Sequence, residues 1–314
     1  MPRHRPAPPW QLQFATLTIV WGASFLFIKV AVRDLAPIDV ALTRVGLGAA
    51  VLVAALALGR SALPRGRAVW GHLAVVALIG NCAPFALIAY GETHISSVLA
   101  GIWNATTPLL TMMVATFALP DERPTPRRVT GLLAGFGGVL VVLGPWRDVG
   151  GGPLAGQLMS LGAAACYGVT FCYMRRFLAG RPESGSALSA GQMLCATAQL
   201  AVVTIFVGGA PKGLPADVVL SMLGLGVLGT GIAYILNYSV VRQAGATTAS
   251  TVTYVVPVVS TLLGVIVLGE GLTWNEPVGA AIVLGSVAAS QGLLRVRRRR
   301  IAYRAAECAT SSEP

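Results

Sequence analysis

The chain has 314 residues, of which 55% are hydrophobic and only 11% are charged, and its mean hydropathy is +0.72. A soluble domain carries about 25% charged residues, so this composition excludes an ordinary soluble globular protein. The net charge of +11 would indicate a nucleic-acid binder in a soluble chain. Here the basic residues lie in short connections between apolar runs, so we predict a lipid bilayer as the partner and no nucleic acid.

Apolar runs long enough to cross a membrane follow one another along the whole chain. A spanning helix needs about 20 mostly apolar residues. The sequence predicts ten such spans, and hence an all-α polytopic membrane protein, with the spans at 12–32, 38–59, 70–90, 95–118, 129–145, 154–174, 187–208, 218–240, 246–268 and 277–294. The first run is too long for a cleavable signal peptide, and no small-residue cleavage site follows it.

The basic residues of the connections predict the orientation. With a cytoplasmic N-terminus, 18 of the 23 Lys and Arg residues lie on the inside, and the outside holds only Arg33, Arg147 and Lys212. Cytoplasmic loops carry an excess of Lys and Arg. We therefore predict that both termini are cytoplasmic and that the protein lies in the inner (plasma) membrane of a bacterium.

The two halves of the chain repeat one another. When Pro108 is set on Pro257, an offset of 149, segment 90–110 resembles segment 246–264, and Gly80 falls on Gly229. Near the start of each half, WGASF at 21–25 corresponds to YGVTF at 167–171, an offset of 146. Proline and glycine thus recur in the same order, which favours an internal repeat over chance likeness between apolar helices.

The repeat predicts the domain organisation. A cytoplasmic N-terminus (1–11) precedes a five-helix repeat (12–145), a second five-helix repeat (154–294) and a basic cytoplasmic tail (295–314). Because five is an odd number, the second repeat must enter the membrane from the opposite side. Inverted repeats of this kind recur in secondary transporters, with the substrate site near the midplane between the halves.

In combination these features resemble the drug/metabolite transporter superfamily, and within it an EamA-type exporter. The resemblance covers about residues 12 to 294 and is carried by the 5+5 layout, WGASFLFIK at 21–29, Arg44 in the second span, and the Pro-centred helices that end in Asp121-Glu122 and Glu270. It implies export of amino acids, metabolites or drugs by alternating access through a central cavity, with neutral or aromatic amino acids the first to test. The second half departs from the first at Arg44, where the matching region offers Gly191 or Gln192, so the site is expected to be asymmetric.

Polar residues inside the spans are the candidates for the transport site. Such residues are costly in a bilayer and tend to face a bundle interior or a cavity. The candidates for substrate binding or cavity lining are Trp21, Ser24, Lys29, Arg44, Asn81, Tyr90, Glu92, Asn104, Thr107, Tyr167, Tyr234, Asn237, Tyr238 and Tyr254. For Ser and Thr, hydrogen bonding to the own helix is an alternative explanation, and for Tyr and Trp near span ends the interfacial belt is another.

Two cations lie within predicted spans. Lys29 is three or four residues inside the outer end of the first span, where snorkelling to the headgroups accounts for it. Arg44 lies about six residues inside the second span, roughly 9 Å below its outer end at 1.5 Å per residue. Snorkelling to the headgroups is one explanation for Arg44. Otherwise its partner is either Asp39, five residues earlier, or a substrate carboxylate that the planar guanidinium binds with two hydrogen bonds.

Two features bear on gating and energy coupling. Pro108 and Pro257 lie near the centres of spans four and nine, and each can bend its helix. The bends either let the halves close the cavity in turn or are static kinks that only fit the packing. None of the twelve acidic residues lies near a span centre. We therefore predict flux driven by the substrate gradient, with the outer-end pair Glu92 and His94 as the titrating alternative.

The sequence offers little for an enzyme. The three histidines, His4, His72 and His94, are too scattered for a metalloprotease, no carboxylate pair lies deep in a span, and no GxxxxGK[ST] loop is present. We expect no catalytic residue, metal or cofactor, and five cysteines that act in packing. A membrane channel and a multidrug or other-metabolite permease remain alternatives, and Gly131 with Gly135 leaves the oligomeric state open.

Overall fold

The structure is a computed structural model of the whole chain, and it describes residues 8–31, 33–92, 102–122, 124–144, 146, 153–209, 214–268 and 274–290. Its helices are α1 (Trp10–Ala31), α2 (Pro37–Leu58), α3 (Arg67–Ala77), α4 (Ala83–Glu92), α5 (Thr107–Ala118), α6 (Pro126–Leu143), α7 (Leu154–Tyr173), α8 (Gly185–Val207), α9 (Ala216–Gly226), α10 (Ala233–Ala244), α11 (Ala246–Ser250), α12 (Val252–Leu268) and α13 (Asn275–Ser290). Three π-helical segments, Leu78–Cys82, Met174–Leu178 and Val227–Ile232, join or extend these helices, and Pro120–Glu122 is a 3-10 turn.

The predicted all-helical fold is confirmed, since the described ranges contain helices and no strand. Among the residues that the structure describes, six stretches are long and apolar enough to cross a membrane: Pro37–Leu58, Arg67–Ile88, Pro126–Leu143, Leu154–Leu178, Gly185–Val207 and Ala216–Ala244. They correspond to the second, third, fifth, sixth, seventh and eighth predicted spans. The number of ten spans therefore stays a prediction, and helices α1, α5, α12 and α13 overlap the other four.

Large apolar side chains cover the outside of the bundle. Leu58 is 88% exposed, Phe117 86%, Phe206 80% and Ile205 78%. In water such a surface would drive association, whereas lipid tails solvate it without penalty. The exposed surface therefore agrees with the bilayer predicted from composition.

Helices from the two halves pack in matched pairs. Helix α1 contacts both α9–α10 and α12, and its counterpart α7 contacts both α4 and α5. The other two main pairs, α2 with α8 and α6 with α13, each join a helix to its own counterpart. Exchanging the halves leaves this set of contacts unchanged, which is the pattern that a two-repeat architecture produces.

Close glycine contacts repeat in the same way and agree with the sequence offsets. A Cβ atom at Gly229 would lie 2.6 Å from Ser24 Oγ, and one at Gly80 would lie 2.7 Å from Thr170 Cγ2. Gly229 is Gly80 shifted by 149, and Thr170 is Ser24 shifted by 146. The two offsets were inferred from separate segments of the sequence. Together they turn the Gly80–Thr170 contact into the Gly229–Ser24 contact, so the same helix contact occurs twice.

The prolines occupy less equivalent positions than the sequence indicates. Helix α5 begins at Thr107 after a turn at 105–106, so Pro108 lies in its first turn, where proline is well tolerated. Pro257 lies inside α12, which follows a break at Thr251. Pro108 thus lies at the start of one helix and Pro257 inside another, and bending of the two spans at these prolines stays a prediction.

A buried ion-pair cluster joins the two halves at the predicted cytoplasmic side. Glu122, which is 4% exposed, accepts hydrogen bonds from the backbone N–H groups of Ala246 (2.8 Å) and Thr247 (3.0 Å). Its carboxylate also pairs with Arg175 Nε at 3.4 Å, and Arg175 contacts the exposed carboxylate of Asp121 at 3.2 Å. This cluster connects the end of α5 to the end of α7 and to the α10–α11 junction.

Candidate substrate-binding site

Two π-helical segments form the centre of the candidate site. Leu78–Cys82 lies between α3 and α4, and Val227–Ile232 lies between α9 and α10, so their first residues differ by the repeat offset of 149. A π turn disturbs the regular ladder of backbone hydrogen bonds, and such turns are frequent at functional sites. The first segment carries Asn81, and the second carries Gly229 and Thr230, which are the polar groups used below.

Arg44 contacts the second π segment from α2. Its Nε donates to Thr230 Oγ1 at 3.2 Å, and its Nη2 donates to the Gly229 carbonyl at 3.4 Å. The guanidinium also lies over the Phe85 ring, 4.8 Å from the centroid. All of these partners are neutral. Arg44 is half-buried, and it has no carboxylate partner among the described residues.

The predicted alternative partner of Arg44 has another role. Asp39 Oδ2 accepts the backbone N–H of Gly209 at 3.1 Å, which fastens the start of α2 to the end of α8. Five residues of helix separate Asp39 from Arg44 by about 140° around the axis, so the two side chains point to different faces. The internal pair considered from the sequence is therefore wrong.

A chain of hydrogen bonds runs through the neighbouring polar residues. Tyr238 Oη donates to Gln192 Oε1 at 2.7 Å, and Gln192 Nε2 donates to Asn81 Oδ1 at 2.8 Å. Asn81 Nδ2 then donates to Tyr234 Oη at 2.5 Å. Gln192 was not among the predicted site residues, although it lies in the stretch that the repeat sets against Arg44. Gln192 bonds to Asn81 as Arg44 bonds to Thr230, and Thr230 is the counterpart of Asn81 in the second half.

Trp21 links this chain to Arg44. Its Nε1 donates to the Gly229 carbonyl at 3.2 Å, the same oxygen that Arg44 contacts. Its ring packs edge-on against Tyr234 with centroids 6.2 Å apart. Tyr167, the counterpart of Trp21 in the second half, lies within electrostatic range of Arg44. The structure thus brings these predicted residues together at the interface between the halves.

The structure places the other predicted residues away from this cluster or in bonds to their own helices. Ser24 and Thr107 donate to backbone carbonyls three or four residues earlier. Tyr254 Oη donates to the Leu132 carbonyl at 2.9 Å, a contact that packs α12 against α6. Two amide oxygens, Oδ1 of Asn104 and of Asn237, are enclosed and have no hydrogen-bond partner within the described part of the chain.

For three of the predicted site residues the structure does not describe the side chain. The side chains of Lys29, Tyr90 and Glu92 lie outside the described residues, as does His94. Within the described ranges, no group of three or more His, Cys, Asp or Glu residues is arranged to hold a metal ion.

Comparison with known proteins gives a consistent result. The profile of the EamA-like transporter family matches this chain twice, at residues 8–144 and 154–290. An uncharacterized transporter of Bacillus subtilis, YoaV, is 23% identical over 274 residues, which covers 87% of this chain and 93% of that protein. An uncharacterized transporter of Archaeoglobus fulgidus is 28% identical and covers 88% of this chain and 95% of its own length. A solved crystal structure superposes with a TM-score of 0.76 at 25% identity, covering 91% of this chain and 97% of that one.

Proposed function

Since the chain belongs to the EamA-like transporter family, we propose that it is a secondary transporter that exports small metabolites carrying a carboxylate, in the first place neutral or aromatic amino acids. Transport proceeds by alternating access through the space between the two repeats, and no catalytic step is involved. The observation that carries this proposal is Arg44, a cation deep in the helix bundle without a carboxylate partner among the described residues.

The energetic argument rests on the depth of Arg44. An arginine near the centre of a spanning helix costs about 2.5 kcal/mol or more on insertion scales unless it is paired or hydrated. Its hydrogen bonds to Thr230 and Gly229 use two of the five guanidinium N–H groups, and no bond to Nη1 is formed within the described residues. A substrate carboxylate would supply both the missing charge and the acceptor oxygens.

The surroundings of Arg44 favour a substrate with an apolar or aromatic portion. Phe85 lies against the guanidinium, and Trp21 and Tyr234 form an edge-on pair beside it. Such rings offer large apolar surfaces with few polar groups. They suit the side chain of a neutral or aromatic amino acid better than a second charged group. The direction of transport follows from the family resemblance.

The proposal is tested by flux into and out of proteoliposomes with a panel of labelled amino acids. Counter-flow of the substrate separates a carrier from a channel. We expect Arg44→Gln to abolish flux and Arg44→Lys to impair it, because an ammonium lacks the two-pronged geometry of guanidinium. Asp39→Asn is the matched control, since Asp39 contacts Gly209 and not Arg44. Normal flux by Arg44→Gln at equal membrane abundance would show that Arg44 has no role in substrate binding.

A further inference from the structure

The hydrogen-bond chain beside Arg44 has a direction. In each of its three bonds the donor lies on the Tyr238 side and the acceptor on the Tyr234 side. All four residues of the chain are at most 7% exposed, so water does not compete for these bonds. Because Asn81 supplies the hydrogen of the last bond, the Tyr234 hydroxyl keeps its own hydrogen. That hydrogen has no acceptor among the residues that the structure describes.

This unused donor belongs to the cluster that contains Arg44. Trp21 contacts the Tyr234 ring and donates to the Gly229 carbonyl, and Arg44 donates to the same carbonyl. The phenol of Tyr234 and the guanidinium of Arg44 lie within electrostatic range of one another. The cluster therefore offers two kinds of hydrogen-bond donor, a phenol and a guanidinium, each with capacity left for a ligand.

We propose that Tyr234 is a second substrate-binding donor beside Arg44, and that Tyr238, Gln192 and Asn81 are positioning residues that keep its hydrogen free. The ligand is the carboxylate of the substrate, so this inference rests on the proposed function and adds the origin of its specificity. A carboxylate accepts at both oxygens. A carboxamide presents an N–H₂ group to one of the two donors and leaves that donor without an acceptor, which is costly in a buried site.

The direction of the chain depends on the hydroxyl at its far end, because with the amides turned over the hydrogen of the buried Tyr238 would have no acceptor among the described residues. In Tyr238→Phe the first donor is missing, so both amides are free to turn over and exchange their nitrogen and oxygen positions. Tyr234 then donates to Asn81, and its hydrogen is no longer available to a ligand. Phenylalanine retains the ring of Tyr238, so the packing of this residue, which is 1% exposed, is preserved. A change three hydrogen bonds away from Tyr234 is thus expected to alter carboxylate binding.

The experiment compares L-phenylalanine with L-phenylalaninamide, which differ at the carboxylate. Binding to the purified protein is measured by ligand-dependent thermal stabilisation, and flux in proteoliposomes gives the KM. We expect the wild type to prefer the carboxylate. A hydrogen bond to a charged group contributes enough that its loss lowers affinity by about tenfold or more. Tyr234→Phe and Tyr238→Phe should each weaken phenylalanine binding by about that factor, while binding of the amide changes by less than about threefold.

Two further variants complete the design. Gln192→Met interrupts the chain with a side chain of similar size and should reproduce the loss of preference if Tyr238→Phe does not fold. Tyr173→Phe removes a phenol that bonds to His72 at 2.7 Å, near the predicted cytoplasmic end of α7, and should leave the preference unchanged.

The outcomes separate this inference from the proposed function. If Arg44→Gln loses the carboxylate preference while folded Tyr238→Phe and Gln192→Met keep it, the positioning chain is wrong and the proposed function stands. If Arg44→Gln binds phenylalanine as the wild type does, or if the wild type binds neither probe, both are wrong.

Discussion

Glu122 allows the sharpest test of what holds the two halves together. The perturbation is Glu122→Gln, which keeps the shape of the side chain and removes its charge. The carboxylate accepts two backbone N–H groups, from Ala246 and Thr247, and pairs with Arg175. The amide has one acceptor oxygen, so one backbone N–H would face an N–H₂ group. Asp121→Asn is the matched control, because it also removes one negative charge from the cluster.

The expected magnitudes follow from burial. The Glu122 side chain is 5% exposed, and a buried N–H group left without its acceptor costs about 1–3 kcal/mol, while Arg175 keeps its contact with Asp121. The Asp121 side chain is 60% exposed, and an exposed pair contributes about 0–1 kcal/mol. We therefore expect Glu122→Gln to lower the free energy of unfolding several-fold more than Asp121→Asn. At about 2 °C per kcal/mol for a chain of this size, the melting temperature should fall by about 2–6 °C.

The assay is thermal unfolding of the purified protein in detergent, with the wild type and both variants at equal concentration. Glycine at position 245 lies against the Glu122 carboxylate with a φ of 86°, so the loop that supplies the two N–H groups is tightly fitted. That fit leaves little room for the amide to find other partners. A melting temperature of Glu122→Gln within about 1 °C of that of Asp121→Asn would refute the reasoning, because burial would then have no energetic consequence here.

Three further predictions concern topology, packing and coupling. A reporter fused after Pro314 should report cytoplasm and one within 148–152 the exterior, and the reverse result would contradict both the orientation and the inverted repeat. Gly229→Ala should destabilise the protein by about 1–3 kcal/mol in thermal unfolding, since the added Cβ would lie 2.6 Å from a serine oxygen. Gly285→Ala should be tolerated, since its Cβ would meet no atom of the described residues within 4 Å. Proteoliposomes should equilibrate substrate down its own gradient, and accumulation driven by a pH gradient alone would contradict gradient-driven flux.

Much of the helix pairing could be predicted from the sequence, because residues that recur in the two halves are residues at close helix contacts. Gly80 and Gly229 recur because another helix must approach each of them closely. Thr170 is the residue that approaches Gly80, and Ser24 is the residue that approaches Gly229. The bilayer restricts spanning segments to a few structures, so composition and run length were sufficient for the helical class. The number of spans is less well determined, because breaks such as the one at Thr251 divide an apolar run without a change in composition.

The parts that the sequence did not reveal depend on partners distant along the chain. The sequence marks Glu122 only as part of the acidic end of a Pro-centred helix, and its burial depends on backbone groups 124 and 125 residues away. The π segments contain no proline, and their wider turns place Asn81 and Thr230 toward helices of the opposite half. Gln192 could have been found by applying the repeat more strictly. The sequence offset from Arg44 to Gln192 is the same offset that relates the close glycine contacts of α6 to those of α13.

The difference between Arg44 and Gln192 has a consequence for the transport path. The two residues hold equivalent positions on α2 and α8, and each bonds to the π segment of the opposite half. Gln192 has its amide oxygen and nitrogen paired inside the protein, whereas Arg44 keeps donors and a full charge. A role in packing alone would favour a satisfied neutral side chain at both positions, because an uncompensated cation at this depth is costly. The proposed substrate-binding role of Arg44 accounts for this charge, and under that proposal a substrate anion is bound from the first half, because Gln192 at the equivalent position of the second half is neutral and paired.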